Sequence, residues 1–174
     1  MKTSQTWWNE VKASPSLLKE WLVKQYRGEL TAASRIRKLA LQFNVNGHDL
    51  KTLSVIAQQE ETHASWVLGL LTSRGITPST ENAENRYWAS TLPGIDSFET
   101  GTAVTTHAEA MRLERIQVIS EDQTAPRDIR EVFTKILVDE QFHERAFRSM
   151  TTSDALSKTY GNHELGRAAL GLVA

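Results

Sequence analysis

The sequence contains no cysteine. That absence excludes disulfide bonds, cysteine-ligated iron centres and thiol catalysis, so redox chemistry in this chain would need an external electron donor. No run approaches the roughly 18 apolar residues of a membrane span, and the N-terminal segment lacks the apolar stretch of a signal peptide. The formal net charge is only −1, which argues against electrostatic binding to nucleic acid or to a membrane surface. We therefore expect a cytoplasmic protein without nucleic-acid or membrane partners.

The composition is that of one globular domain. The 174 residues are 40% hydrophobic and 24% charged, which is ordinary for a soluble domain with a real core. We predict a single domain over residues 1–174.

One pattern of glutamate and histidine occurs twice. Each copy is a Glu followed 31 residues later by Glu-x-x-His, and every residue of the second copy lies 80 positions after its counterpart. The six residues are Glu29, Glu60 and His63 in the first half and Glu109, Glu140 and His143 in the second. Each Glu falls within an otherwise apolar helical stripe, where a carboxylate is costly unless it is paired or metal-bound.

Helix geometry explains both the three-residue and the 31-residue intervals of the pattern. Residues i and i+3 lie on one helical face, a turn apart, so the Glu and His of each Glu-x-x-His can reach one ion. A gap of 31 residues fits an antiparallel helical hairpin that brings both glutamates to one height. Two such hairpins packed together form the ligand set of a carboxylate-bridged dinuclear metal site. The alternative is that the glutamates lie at the surface and the histidines are hydrogen-bonded core residues. That interpretation does not explain why the pattern occurs twice with the same spacing.

The pattern of apolar, capping and turn residues predicts an all-α protein. Four long helices are expected at about residues 15–43, 49–74, 97–120 and 126–150, with a crossover at 76–95 and a short helix at about 154–160. Ser14 followed by Pro15 is typical of the start of a helix, and Gly75 is typical of the position just after a helix ends.

Residues 16 to 150 resemble the ferritin-like superfamily in its rubrerythrin-like and bacterioferritin-like branch. The likeness is closest in His107-Ala-Glu109-Ala-Met-Arg-Leu-Glu-Arg-Ile and in Ile136-Leu-Val-Asp139-Glu140-Gln-Phe-His143. The resemblance implies a four-helix bundle of two hairpins that holds two irons, with manganese as an alternative in one or both positions. It also implies that the Glu-x-x-His carboxylates bridge the metals while Glu29 and Glu109 are terminal ligands.

Two departures from that family pattern bear on the reaction. Rubrerythrin-type peroxidases are expected to have a further Glu three residues before the lone Glu of the third long helix, where this chain has Thr106. The missing cysteines also leave no rubredoxin centre. Beyond the short helix at about 154–160, nothing in the C-terminal tail resembles the well-formed fifth helix of a ferritin. A ferritin-type cage is therefore not indicated, and a homodimer is expected.

Two residues are predicted to support the histidine ligands from outside the metal site. Asp139 precedes Glu140 as in the superfamily's Asp-Glu-x-x-His, where the Asp accepts a hydrogen bond from a ligand His of the opposite hairpin. The equivalent position in the first copy is Gln59. One histidine would then face a carboxylate and the other an amide, which would make the two metals unequal.

Other side chains have weaker indications. Tyr26 lies one turn before Glu29, where it could serve the site, although core packing is the preferred interpretation. The threonines 102, 105 and 106 are interpreted either as one side of a polar substrate pocket or as ordinary helix-face residues. Arg112 and Glu144 could pair with ligand carboxylates but are expected at the surface. His48 and His163 are expected in exposed loops, and His107 points away from the site.

The favoured function is a di-iron oxidoreductase that activates O₂ or peroxide and oxidises an unknown small substrate. A ferroxidase that acts on Fe²⁺ and a rubrerythrin-like peroxide reductase use the same ligand set and remain open. The third alternative is a helical bundle in which the metal only stabilises the fold.

Overall fold

The computed structural model describes residues 3–79 and 86–172, and within them the fold is built from helices without strands. The seven α-helices are α1 (Ser4–Ala13), α2 (Pro15–Gln42), α3 (Gly47–Thr72), α4 (Arg86–Thr91), α5 (Phe98–Glu121), α6 (Arg127–Ser149) and α7 (Ser153–Ala169). This confirms the all-α fold predicted from the sequence. In these described residues no helix is long and apolar enough to cross a membrane.

Two antiparallel hairpins form the four-helix bundle. Helix α2 packs along α3 and α5 packs along α6, and α3 also contacts α6. The side chain of Ser14 caps α2 ahead of Pro15, and Gly75 takes the left-handed conformation just beyond α3, with φ at +67°. The long helices therefore begin and end within about two residues of the predicted positions. Residues 80–85 of the predicted crossover lie outside the described residues.

The apolar core is divided into two clusters. The larger fills the end of the bundle where α1 lies, and the smaller fills the opposite end, around Ile36, Leu53 and Phe147. The four glutamates of the repeated pattern come from the middle parts of α2, α3, α5 and α6. Each cluster supplies hydrophobic stabilisation, so the polar centre between them need not hold the bundle together.

Helix α1 was not predicted, and it closes one end of the bundle. Trp8 is fully buried and its indole N–H donates to Asp122, at 2.8 Å, while Lys12 pairs with the same carboxylate at 2.6 Å. The rings of Trp7, Trp8 and Trp21 contact one another edge-on or tilted. These contacts fix α1 to α2 and to the C-terminal end of α5.

The last helix is longer than the predicted helix at 154–160. Helix α7 extends from Ser153 to Ala169 and packs on α4 and α5. His163 was expected in an exposed loop, which is wrong: it is buried within α7. Its Nδ1 lies 2.7 Å from the hydroxyl of Tyr87 and its ring stacks on His107, whose Nε2–H donates to the carbonyl of Leu156.

We expect His163 to make the fold sensitive to acid. Burial, together with the neighbouring His107 and Arg167, lowers the pKa of His163 to about 4 from its ordinary 6.5. Between those values the unfolded chain binds a proton that the folded chain does not, so stability falls as the pH falls through this window. In urea unfolding of the metal-free protein, His163→Asn should lose less stability than the wild type between pH 6.5 and 4, because the amide oxygen still accepts from Tyr87 without titrating. Equal losses in the two proteins would contradict this assignment.

Candidate metal centre

The structure brings all six residues of the repeated pattern together in the middle of the bundle. Glu29 comes from α2, Glu60 and His63 from α3, Glu109 from α5, and Glu140 and His143 from α6. Five of them are fully buried and Glu109 is 4% exposed. Because i and i+3 share a helical face, each Glu-x-x-His presents its carboxylate and its ring to the same interior point.

The six side chains form two overlapping sets of candidate ligands, each with its ligand atoms within 4.8 Å of one another. One set contains Glu29 and His63, the other contains Glu109 and His143, and both contain Glu60 and Glu140. The two glutamates of the Glu-x-x-His motifs are therefore placed to be shared by two ions, and Glu29 and Glu109 to serve one ion each.

Both histidine rings turn Nδ1 toward the carboxylates. Nδ1 of His63 lies 3.6 Å from Glu140 and 3.8 Å from Glu29, and Nδ1 of His143 lies 3.2 Å from Glu60 and 3.6 Å from Glu140. Separations of this size are expected between two ligand atoms that each lie about 2.0–2.2 Å from one ion.

Most of the candidate ligand atoms at the centre make no hydrogen bond within the described part of the chain, although Glu140 also lies 2.9 Å from the guanidinium of Arg112. Nδ1 of both histidines, both oxygens of Glu60 and Glu140, and one oxygen each of Glu29 and Glu109 are buried and have no hydrogen-bond partner among the described residues. Buried polar atoms are rarely left in this state unless a ligand or an ion completes them. Carboxylate and imidazole donors in this number suit iron, manganese or zinc, so the side chains fit a pair of metal ions.

A row of hydrogen bonds holds the outer edges of the two rings. Nε2–H of His63 donates to Asp139 at 3.0 Å, and Nε2–H of His143 donates to the amide oxygen of Gln59 at 3.1 Å. The amide nitrogen of Gln59 then donates to the second oxygen of Asp139 at 2.8 Å. These acceptors keep the proton on Nε2 and leave the Nδ1 lone pair for a metal. One ring faces a carboxylate and the other an amide, and a direct bond also joins the two supports.

Arg112 is the cation of the metal-free centre. Its guanidinium lies 2.6 Å from Glu29, 2.9 Å from Glu140 and 3.7 Å from Glu60. The preference for a surface position was therefore wrong, and this is the main functional contact that the sequence interpretation underrated. A signal existed, because Arg112 follows Glu109 by three residues and so shares its helical face.

The carboxylates divide into two pairs by pKa. Burial and the charge of Glu140 raise the pKa of Glu60 and of Glu109 well above the usual range. Burial opposes ionisation of Glu29 and Glu140 as well, but Arg112 and a neighbouring imidazole outweigh it. The pKa of Glu29 falls to about 2, and that of Glu140 also falls below its usual range. Arg112 therefore favours ionisation of Glu29 and Glu140, whereas burial and the charge of Glu140 disfavour it at Glu60 and Glu109.

The weaker candidates lie outside this cluster. Tyr26 is partly buried and packs on the larger apolar cluster. The threonines 102, 105 and 106 donate their hydroxyls to backbone carbonyls of α5 one turn earlier, so helix-face packing is the correct one of the two interpretations. Glu144 pairs with Arg148, and His48 is exposed at the start of α3.

Removing the charge of Arg112 should move apo stability and metal affinity in opposite directions. Loss of a charged hydrogen-bonded pair costs about 2 kcal/mol, which lowers the Tm of the metal-free Arg112→Gln variant by roughly 4–8 °C. If bound metals replace the missing charge, that energy is regained on loading and the metal affinity rises about 30-fold. Differential scanning fluorimetry and zinc titration measure the two effects. Arg115→Gln, whose guanidinium lies over the ring of Trp7, is the control, and equal changes in both variants would contradict the role of Arg112.

The support of His63 by Asp139 gives a second prediction. Asp139→Asn leaves one acceptor oxygen for two donors, Nε2–H of His63 and the amide of Gln59, so the metal affinity should fall about 10- to 100-fold. Glu131→Gln changes an exposed carboxylate of the same helix that pairs with Arg127, and it should have no effect. Unchanged zinc affinity of Asp139→Asn in calorimetry would show that this hydrogen bond does not tune the site.

Comparison with known proteins agrees with this geometry. A family model described as Rubrerythrin matches residues 20–151, which include all of the candidate ligands. Searches of curated proteins and of solved structures gave no match. The match covers most of the four-helix bundle and both Glu-x-x-His motifs, and the chain therefore belongs to the rubrerythrin family of the ferritin-like superfamily.

Proposed function

We propose that this protein is an oxidoreductase that holds two irons, or one iron and one manganese, and uses O₂ or peroxide to oxidise a small substrate. The observation that carries the proposal is the pair of overlapping buried ligand sets that share Glu60 and Glu140. When bound, such a metal pair supplies two-electron redox chemistry at a site that accepts a small oxidant.

The protein's own residues prepare the centre in three ways. Burial of the four glutamates and two histidines keeps bulk water away from the ligand atoms. Asp139 and Gln59 fix the orientation and the tautomer of the two imidazoles. Burial raises the pKa of Glu60 and of Glu109, and a bound cation favours their ionised forms, so metal uptake is coupled to proton release.

The set of candidate ligands favours substrate oxidation over the standard peroxide reductase of the family. Thr106 occupies the position where a further glutamate would be expected, and its hydroxyl is engaged with the carbonyl of Thr102. Threonine cannot replace a carboxylate ligand, so the centre is built from four carboxylates and not five. With no cysteine in the sequence, we propose that electrons arrive from an external donor. The homodimer stays a prediction.

The test begins with anaerobic loading of the protein with Fe²⁺. Two irons per chain are expected, and one equivalent of O₂ or hydrogen peroxide per centre, either of which can accept two electrons, should oxidise both irons, seen as growth of ferric absorption. Glu140→Ala removes a shared ligand and should bind at least one iron fewer with little change in helical content, because the apolar clusters at the two ends of the bundle still hold the helices together.

The outcomes separate the alternatives. Oxidation that stops at two irons per chain supports the enzyme site, while continued oxidation of added Fe²⁺ would make the protein a ferroxidase. Repeated peroxide consumption with a reductant and without any organic substrate would favour the peroxide reductase. A loaded protein inert to both oxidants would leave the metals a structural role, and two full-occupancy irons in Glu140→Ala would overturn the ligand assignment.

A further inference from the structure

A cavity lies directly beside the metal centre, on the far side of Arg112. Its volume is about 50 Å³, and its wall is formed by side chains of α1, α2, α5 and α6, which are Trp7, Trp21, Gln25, Met111, Arg112, Arg115, Ile116, Ile119 and Phe133. A cavity of about 10–15 Å³ holds one water molecule when the volume is measured over the positions open to the water's centre. By that measure this cavity has room for a molecule of three or four heavy atoms. Arg112 is the only one of these nine residues that also contacts the ligand carboxylates.

The cavity is cationic and has no carboxylate in its wall. Two of its nine lining residues are arginines and none is acidic. Arg115 stacks its guanidinium over Trp7, 4.6 Å from the ring centroid, and its Nε is buried with no hydrogen-bond partner among the described residues. A buried donor of this kind calls for an acceptor, and planar arginine groups bind carboxylates well. Gln25 adds an amide to the same wall.

Metal loading changes the charge balance of Arg112. In the metal-free centre its guanidinium neutralises Glu29 and Glu140. Two divalent cations carry four positive charges and balance the four glutamates, so the guanidinium is then surplus at the centre and is repelled by the ions. Its side chain is 23% exposed and already borders the cavity, so the guanidinium can serve the cavity without a move of the helix.

We propose that this cavity is a binding site for a small carboxylate anion, and that Arg112 becomes available to it when metals release the guanidinium from Glu29 and Glu140. Arg115 is the second cationic contact and Trp7 closes the outer side. This inference rests on the dinuclear centre of the proposed function and names the substrate class for it, an anion of three or four heavy atoms held next to the metals. Metal and anion then bind with positive cooperativity, and each strengthens the binding of the other by the same factor.

The test uses zinc as a redox-inert metal and formate as the anion. Calorimetry first measures the zinc stoichiometry, and formate is then titrated into the metal-free and zinc-loaded protein while tryptophan fluorescence reports on Trp7 and Trp21. The zinc-loaded protein should bind formate about 10-fold or more tightly than the metal-free protein, within the usual range of coupling between two sites. Formamide has the same size without the charge, and it should neither bind nor compete.

Three variants distinguish anion binding in the cavity from anion binding on the metals. Arg112→Gln should abolish the increase in formate affinity that zinc loading produces, while Arg112→Lys, which keeps the charge, should retain part of that increase. Arg115→Gln should lower the formate affinity with and without zinc but leave the zinc-dependent increase unchanged. Equal formate affinity with and without zinc, or wild-type affinity in zinc-loaded Arg112→Gln, would overturn the proposal. Insensitivity to Arg115→Gln would also overturn it, because formate would then sit on the metals alone.

The two proposals fail in different ways. Fewer than two zinc ions per chain would contradict the dinuclear centre itself. Two zinc ions with no formate binding would contradict only the anion site and leave the centre intact.

Discussion

The convergence of four buried carboxylates is the constraint on which the rest of the molecule depends. An ionised carboxylate that is buried and unpaired costs more than a domain can sustain, so every nearby element serves to offset that charge. Burial raises the pKa of two of the glutamates, a guanidinium pairs with the other two, and the imidazoles are held with Nδ1 facing inward. The apolar clusters at the two ends supply the stability that permits such a centre between them.

The bundle and its centre were predictable because the information is local. Helical periodicity, a turn glycine and two Glu-x-x-His motifs in equal register act over a few residues, and the equal intervals then specify how the hairpins align. The outer helices were not predictable in this way. Helix α7 contains Gly161 and Gly166, and glycine disfavours a helix. A Cβ at position 166 would lie 2.6 Å from the ring of Tyr87, so the need for that glycine becomes visible only once α4 and α7 are packed together.

Arg112 and His163 show where sequence reasoning ends for individual side chains. Helix geometry places Arg112 on the face of Glu109, but a long side chain on that face can turn inward or remain in solvent. The choice was decided by Glu29 and Glu140, which come from two other helices. His163 likewise gained a buried position because Tyr87 and His107, from α4 and α5, provide a hydrogen bond and a stacking surface. Both outcomes require the tertiary structure.

The unlike pair Gln59 and Asp139 also determines which hairpins can associate. The bond between them needs an amide from the first hairpin and a carboxylate from the second. If two copies of the second hairpin paired, their two aspartates would face each other. If two copies of the first hairpin paired, neither histidine ring would have a carboxylate to donate to. The unlike residues at this position of the repeated pattern therefore favour association of a first hairpin with a second hairpin over association of two like hairpins.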